Sequence, residues 1–163
     1  TPECRDLEDV GAGKLEVRHV TAQDLADLSA PFGAIGEPVD VVVFAAPQLS
    51  LVEMGQVAGL VSGRCRAETT DLVVCTPVQV YGDAERLGYI EAIERFGGTV
   101  LTGTCFYQQY AREIAEANGW TRLLSKSAKI VNILGGYGYR PALASMERCV
   151  ASAEAGHIIG EAG

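Results

Sequence analysis

The chain has 163 residues, 48% of them hydrophobic, and a formal net charge of −8 at pH 7. This length and composition fit one globular domain with a sizeable core. Because phosphate contacts need clustered Lys and Arg, the acidic balance argues against nucleic acid and anionic membranes as partners. No apolar run reaches the ~20 residues of a membrane span, and no signal peptide is recognisable.

Five apolar segments predict β-strands. Two of them contain the continuous β-branched runs "VVVF" and "LVVC", which are typical of strands buried on both faces of a sheet. In chain order, the predicted strands are "KLEVRHV" (14–20), "DVVVFAA" (40–46), "DLVVCT" (71–76), "GTVLTGTC" (98–105) and "TRLLSKSA" (121–128).

Helical patterns lie between these strands. The spacing of a capping box predicts helix starts at Thr21, with Asp24, and at Ser50, with Glu53. The segments "YQQYAREIAEANG" and "SMERCVASAEAG" predict two later helices, each ending at its final glycine.

The segment "DAERLGYIEAIERFGG" predicts one long helix. Asp83 is its expected N-cap and Gly97 its expected stop. The apolar face of this helix consists of Leu87, Ile90, Ile93 and Phe96. The glycine-rich "GGYGYRP" at 135–141 matches no phosphate loop or dinucleotide motif, and we expect a turn and loop there.

Strand and helix alternate along the chain, which predicts a three-layer α/β domain with a mostly parallel sheet of about five strands. We expect a single domain over residues 1–163. The chain begins at Thr1 without a methionine, so we also expect it to be a piece of a longer polypeptide. Its five cysteines are an odd number without a Cys-x-x-Cys pair, which favours the reducing cytoplasm over a disulfide framework.

The candidate site follows from this architecture. In open parallel sheets, ligands bind outside the carboxyl ends of the strands. The segments that follow the predicted strands there are "AAPQLS", "CTPVQVYG", "TCFYQQ" and "SKSAK". They share small residues, hydroxyls, glutamines and two thiols, as expected for a polar rim on an apolar scaffold.

The residues of this rim also have purely structural interpretations. Cys75 and Cys105 are of a type that is often buried as a small hydrophobe. Ser50 can serve only as an N-cap, and Gln48 can hydrogen-bond loop backbone. Lys129 can be a solvated surface lysine, or it can bind an anion together with the serine two residues before it.

The order of the segments "TPE", "APQLSLVE", "TCFY", "SKSAK" and "SMERCVASAEAG" resembles the C-terminal part of the large subunit of aconitase X, a family of aconitase-like dehydratases. The resemblance covers nearly the whole chain. It implies an iron–sulfur cluster held by cysteines and the elimination of water from a hydroxy acid. Activities in this family include cis-3-hydroxy-L-proline dehydratase and mevalonate 5-phosphate dehydratase.

The resemblance also implies which residues form the site. The family motif Gly-Cys-Pro-His-x-Ser-x-x-Glu falls on residues 45–53 and keeps the serine and the glutamate. Ala46 stands at its cysteine and Gln48 at its histidine. One expected ligand of the cluster is therefore replaced by a methyl group. Gln48 and Ser50 are implied to line the substrate edge.

Two further motifs complete the implied site. The family motif Asp-Thr-Cys falls on residues 103–105, which makes Cys105 the implied cluster or metal ligand. The motif Asn-Ser-x-Lys falls on residues 126–129 and keeps Ser127 and Lys129. These two are implied to contact a substrate carboxylate or phosphate and to share a cleft with Cys105.

In this chemistry, iron is a Lewis acid on the leaving hydroxyl, and a base removes the proton alpha to a carboxylate. The base lies outside this piece of the protein, or it is Ser127 activated by Lys129. The implied partners are the remainder of the large subunit and a small swivelling subunit or domain.

Two other classes of function stay open. One is a cluster-free isomerase or racemase-like enzyme with Cys75 and Cys105 as paired thiols. The other is a non-catalytic binding or assembly domain.

Overall fold

The β-branched runs form the centre of a parallel sheet. The computed structural model describes residues 3–6, 8–11, 16–24 and 33–160. The described strands are β1 (Val41–Phe44), β2 (Asp71–Thr76), β3 (Gly98–Thr102), β4 (Arg122–Ser125) and β5 (Arg140–Leu143). The described α-helices are α1 (Leu51–Val61), α2 (Val78–Arg86), α3 (Tyr89–Phe96), α4 (Ala111–Asn118), α5 (Ala128–Leu134) and α6 (Met146–Ala155).

The strand order is β3-β2-β1-β4-β5, and all pairings are parallel. The register sets Val43 beside Val73 and Val42 beside Leu124. The chain moves outward from β1 to β3, then crosses back to place β4 on the other side of β1. The topological switch point therefore lies between the carboxyl ends of β1 and β4, where a ligand crevice is expected.

Helices cover both faces of the sheet, which confirms the predicted three-layer α/β architecture. One apolar cluster joins the sheet to α1, α2, α3 and α6, through residues such as Val57, Ile93 and Val150. A second cluster joins the opposite face to α4 and α5, through residues such as Ala115 and Ile130. Among the described residues, no helix has the length and hydropathy needed to cross a bilayer.

One predicted strand is not found, and one strand was not predicted. Residues 16–20 have no regular structure, while residues 14 and 15 of that segment lie outside the described residues. Val17 and Val20 are about 70% exposed, so the apolar positions of this segment are not buried in a sheet. The fifth strand is β5, which begins inside the expected loop. It contains no β-branched residue, and it contains Pro141, a residue type that is tolerated in an edge strand but not in a central one.

The expected long helix is two helices. Asp83 lies inside α2 and is not an N-cap, because α2 begins at Val78. The chain breaks at Gly88, whose left-handed φ of 75° ends α2 and lets α3 start in a new direction. Leu87 is consequently 55% exposed, whereas the other predicted apolar positions of this segment are buried. Gly97 is the stop of α3, as predicted.

The two capping boxes are confirmed. The Thr21 amide donates to the Asp24 carboxylate over 2.7 Å, and the Asp24 amide donates back to the Thr21 hydroxyl over 3.2 Å. Ser50 and Glu53 make the same reciprocal pair at the start of α1. Both glycine stops of the later helices are also confirmed, since α4 and α6 end at left-handed glycines.

Candidate functional site at the carboxyl edge of the sheet

The segment after the central strand, residues 46–53, connects the loops of the carboxyl edge. The Gln48 amide donates to the Thr104 carbonyl after β3 over 2.6 Å. The Leu49 amide donates to the Cys75 carbonyl at the end of β2 over 2.7 Å. The Ala46 carbonyl accepts the Ser127 hydroxyl from the loop after β4 over 2.7 Å. The 46–53 segment thus joins three neighbouring loops across the switch point.

Ser127 lies in this crevice, and backbone groups engage its hydroxyl proton and one of its two lone pairs. It caps α5, accepting the Ile130 amide over 3.3 Å while it donates to Ala46. Ser127 is half-buried. The structure therefore places it at the switch point and gives it a structural role there, as N-cap and loop tie.

Lys129 is exposed on the first turn of α5. Its ammonium lies 5.5 Å from the centre of the Tyr107 ring, within the range of a cation–π contact. Tyr107 is two residues beyond Cys105 in the loop after β3. This contact brings the loops after β3 and β4 together around a solvent-facing cation.

Ser50 is exposed and forms the capping box at the start of α1. Its partner Glu53 also contacts the ammonium of Lys126, the first residue after β4. Burial by itself raises the pKa of Glu53, but hydrogen bonds from Lys126 and Ser50 outweigh it and hold that pKa below the ordinary value. Glu53 is therefore a fixed carboxylate at neutral pH.

Cys105 is half-buried at the end of the loop after β3. The chain turns directly from Cys105 into a single 3-10 turn over Phe106–Gln108, and α4 begins only at Ala111. The expectation that a long helix starts beside the thiol is wrong, because that helix begins six residues further on. Next to Cys105, the hydroxyl of Thr104 is buried and has no hydrogen-bond partner within the described residues.

Cys75 and Cys149 are fully buried. Burial, and then the nearby Cys105, raise the pKa of Cys75 to about 11, although the Phe106 amide partly opposes this. Cys75 is therefore a neutral thiol at physiological pH, which weighs against paired acid–base thiols facing one cleft. Burial also raises the pKa of Cys149, which packs on the opposite face of the sheet from Cys75.

The residues of this chain do not build a complete iron–sulfur site. A cluster needs several thiolates, and this edge provides Ala46, the neutral thiol of Cys75 and the half-buried thiol of Cys105. Within the described ranges, no three Cys, His, Asp or Glu side chains are grouped so that they can hold a metal ion. Among the described residues of this edge, Cys105 is therefore the thiol that is not fully buried.

Two cavities lie away from the predicted residues. One of about 390 Å³ opens where β4 and β5 begin, at the amino edge of the sheet, and Arg122 and Arg140 line it. Another of about 240 Å³ lies beside β3, between Leu101 and Trp120. The polar rim lies at the opposite edge from the first cavity, so cavity size does not identify the site.

Parallel α/β domains with polar side chains at the topological switch point form a class that binds ligands there. Comparison with known proteins identifies the family. The family model "Aconitase X third domain" matches residues 39–155. The chain belongs to the aconitase X family, which confirms the resemblance seen in the sequence.

Relatives of this chain are dehydratases. It is 30% identical over 160 residues to cis-3-hydroxy-L-proline dehydratase of Pseudomonas aeruginosa, covering 96% of this chain and 27% of that protein. It is 27% identical to the phosphomevalonate dehydratase large subunit of Thermococcus kodakarensis, covering 94% of this chain and 38% of that protein.

A solved structure shares the fold. The crystal structure of Thermococcus kodakaraensis aconitase X (holo-form) matches with a TM-score of 0.72 and 26% identity. The match covers 86% of this chain and 35% of that one. The chain therefore spans between about a quarter and two fifths of the length of the proteins described above.

Three residues that make contacts at this edge were not among the predicted site residues, namely Thr104, Tyr107 and Lys126. Each lies in a segment that was recognised as polar rim. Their partners lie 22 to 73 positions away in the chain, and no local spacing signals such pairs.

Proposed function

We propose that this chain is the third domain of a longer aconitase X-type hydro-lyase and forms part of its substrate edge. The enzyme dehydrates a small hydroxy acid, such as cis-3-hydroxy-L-proline or a phosphorylated hydroxy acid. The observation that carries this proposal is the meeting of Ser127, Lys129 and the 46–53 segment at the switch point, in a domain of a dehydratase family.

Lys129 is the proposed anchor for an anionic group of the substrate. The named substrates of both kinds of relative are acids, and an exposed ammonium binds a carboxylate or phosphate as a point charge. Tyr107 holds this ammonium from one side and leaves its other side open to solvent. Gln48 and Ser50 line the same edge and fix the loops around the anchor.

The remaining lone pair of the Ser127 hydroxyl accepts a hydrogen bond from a hydroxyl of the substrate. The base that removes the proton alpha to the carboxylate lies outside this chain. The Ser127 proton is donated to Ala46, and the Lys129 ammonium lies over Tyr107. This arrangement supports Ser127 as a binding group in preference to a lysine-activated base. A binding serine keeps its proton throughout the reaction.

Cys105 is the proposed metal ligand from this chain. An iron–sulfur cluster held in part by Cys105 would supply a Lewis acid for the leaving hydroxyl, and the rest of the large subunit would contribute the remaining ligands. A small swivelling subunit or domain is the proposed partner across the edge, and the cytoplasm is the proposed location. Cys105→Ser is expected to lower the iron content of the complete enzyme, measured after anaerobic purification.

The test is dehydration of cis-3-hydroxy-L-proline and of phosphomevalonate by the complete enzyme. Ser127→Ala is expected to lower kcat/KM by about tenfold, because an acceptor for a substrate hydroxyl is lost. Lys129→Met is expected to raise KM by about tenfold, which corresponds to the loss of one charged contact.

Arg95→Met is the matched control for Lys129→Met. Arg95 is 75% exposed on α3 and pairs with Glu91, so its loss removes a surface cation without touching the carboxyl edge. If the complete enzyme dehydrates none of the hydroxy acids that are tried, the proposed activity is wrong. Equal effects of the two cation variants would overturn the role of Lys129.

A further inference from the structure

Lys126 is a charged residue that the chain keeps largely away from water. It stands between the end of β4 and Ser127, with its side chain 27% exposed. Its ammonium contacts the Oε1 atom of Glu53, whose side chain is 28% exposed. Desolvation of these two half-buried charges offsets part of their attraction, so the main contribution of the pair is a fixed link between the loop after β4 and the start of α1.

Glu53 is itself fixed at both carboxylate oxygens. Its Oε2 atom accepts the Ser50 amide over 2.9 Å and the Ser50 hydroxyl over 2.8 Å, while Oε1 takes Lys126. The carboxylate can therefore neither rotate nor take up a proton readily at neutral pH. It acts as a rigid attachment point for Lys126.

Two consecutive residues of the loop after β4 thus reach the 46–53 segment. Lys126 binds its last residue, Glu53, and Ser127 binds its first, Ala46. The two contacts thus link adjacent residues to the two ends of the 46–53 segment. Together they fix both the position and the direction of the backbone that carries the Ser127 hydroxyl.

Other charges near Lys126 do not replace this contact. Glu147 on α6 is exposed. Its pKa is lowered mainly by hydrogen bonds at the start of α6, and Lys126 contributes least to this. Lys129, two residues beyond Ser127 in the chain, contacts the ring of Tyr107. Within the described part of the chain, Glu53 is therefore the carboxylate in contact with the Lys126 ammonium.

We propose that Lys126 is a positioning residue, which acts through Glu53 to hold the Ser127 hydroxyl at the substrate. This inference rests on the proposed function, because it assigns Lys126 a task in the same site. Loss of the contact removes one of the two side-chain links between this loop and the 46–53 segment. Small misplacements of a substrate-binding group are costly to kcat.

The test is a double-mutant cycle in the complete enzyme, with Lys126→Met, Ser127→Ala and the double variant. Lys126→Met is expected to lower kcat by about tenfold and to change KM by less than about twofold. In the Ser127→Ala background, it is expected to change kcat by less than about twofold, because its effect passes through Ser127. Lys126→Arg is expected to restore most of the activity.

Arg64→Met is the matched control. Arg64, three residues beyond the end of α1, pairs with Glu154 near the end of α6, away from the carboxyl edge. Its kcat is expected to equal that of the parent enzyme. If Lys126→Met lowers kcat equally in both backgrounds, or not at all, the positioning role is wrong. Should Lys126→Met fail to fold, Glu53→Gln removes the same ion pair from the other side and carries the cycle.

Hydrogen exchange separates this inference from the proposed function. If the parent enzyme shows no turnover, the proposed function fails, but the ties of the loop can still be measured. Lys126→Met is then expected to speed amide exchange across 127–130 by about tenfold relative to Arg64→Met, as a released loop opens more often. Unchanged exchange would overturn the inference.

Discussion

At the amino edge of the sheet, one carboxylate is saturated by the fold itself, whereas the polar groups of the carboxyl edge keep some capacity to bind. Asp40 accepts the backbone amides of Thr121 and Arg122 over 2.9 and 2.7 Å and the Arg122 guanidinium over 2.9 Å. At the other edge, Lys129 faces solvent beside Tyr107. Groups that are consumed by backbone stabilise the fold, and groups that remain open are available to a substrate.

The same division holds elsewhere at the amino edge. The Trp120 indole donates to Asp71 over 2.8 Å, and the Arg66 guanidinium donates to the carbonyls of Ala67, Thr70 and Gly97. These contacts close the starts of β2 and β4 and the connection after α1. Arg122, which lines the 390 Å³ cavity at this edge, is likewise bound to Asp40.

Of the expected effects at the two edges, the largest is the loss of stability caused by Asp40→Ala at the amino edge. It leaves two strand amides and a guanidinium without their acceptor, so the free energy of unfolding is expected to fall by about 3 kcal/mol. Denaturant unfolding measures this loss. Turnover per folded molecule is expected to stay unchanged. A loss of turnover with unchanged stability would contradict the division between the edges.

Ser50→Ala removes the cap of α1 and is expected to lower the free energy of unfolding by about 1 kcal/mol. The reason is the loss of the Ser50 hydroxyl that accepts the Glu53 amide and contacts its carboxylate. Thermal unfolding checks it, alongside turnover by the complete enzyme. Lost activity with unchanged melting would leave Ser50 as a site residue alone.

The smallest effect is expected from pH. Burial alone raises the pKa of Asp40, but hydrogen bonds from Arg122 and Thr121 outweigh it and lower that pKa. A lowered folded-state pKa contributes stability above the unfolded value of about 4, and this stability is lost as the pH falls through the folded value. The stability difference between the parent and Asp40→Ala is therefore expected to shrink from pH 6 to pH 3. A constant difference would show that Asp40 contributes by packing alone.

The sequence was sufficient for the centre of the fold and for the strand ends at which the candidate site is proposed. Continuous β-branched runs identified β1 and β2, and the strand ends then located the polar rim. The family resemblance supplied Ser127 and Lys129. β5 was missed because "RPAL" has the composition of a turn, and its strand conformation depends on pairing with β4.

Tertiary pairs were beyond the sequence. The Lys126–Glu53 contact spans 73 positions and the Asp40–Arg122 contact spans 82. Each depends on the crossover that places β4 beside β1, which no local pattern specifies. The break at Gly88 was missed for another reason, since the apolar spacing continues across it from α2 into α3.

The central claim is that the carboxyl edge meets the substrate, and two thiols test it directly. Cys105 lies at that edge, and the exposed Cys65 lies in the connection from α1 to β2 at the amino edge. In the complete enzyme freed of iron by a chelator, so that Cys105 carries no metal, iodoacetamide labelling of each thiol is followed by peptide mass spectrometry, with and without cis-3-hydroxy-L-proline or phosphomevalonate. At ten times its Kd, the substrate is expected to slow labelling of Cys105 by about tenfold and to leave Cys65 unaffected. Equal labelling of Cys105 with and without either acid would contradict the account.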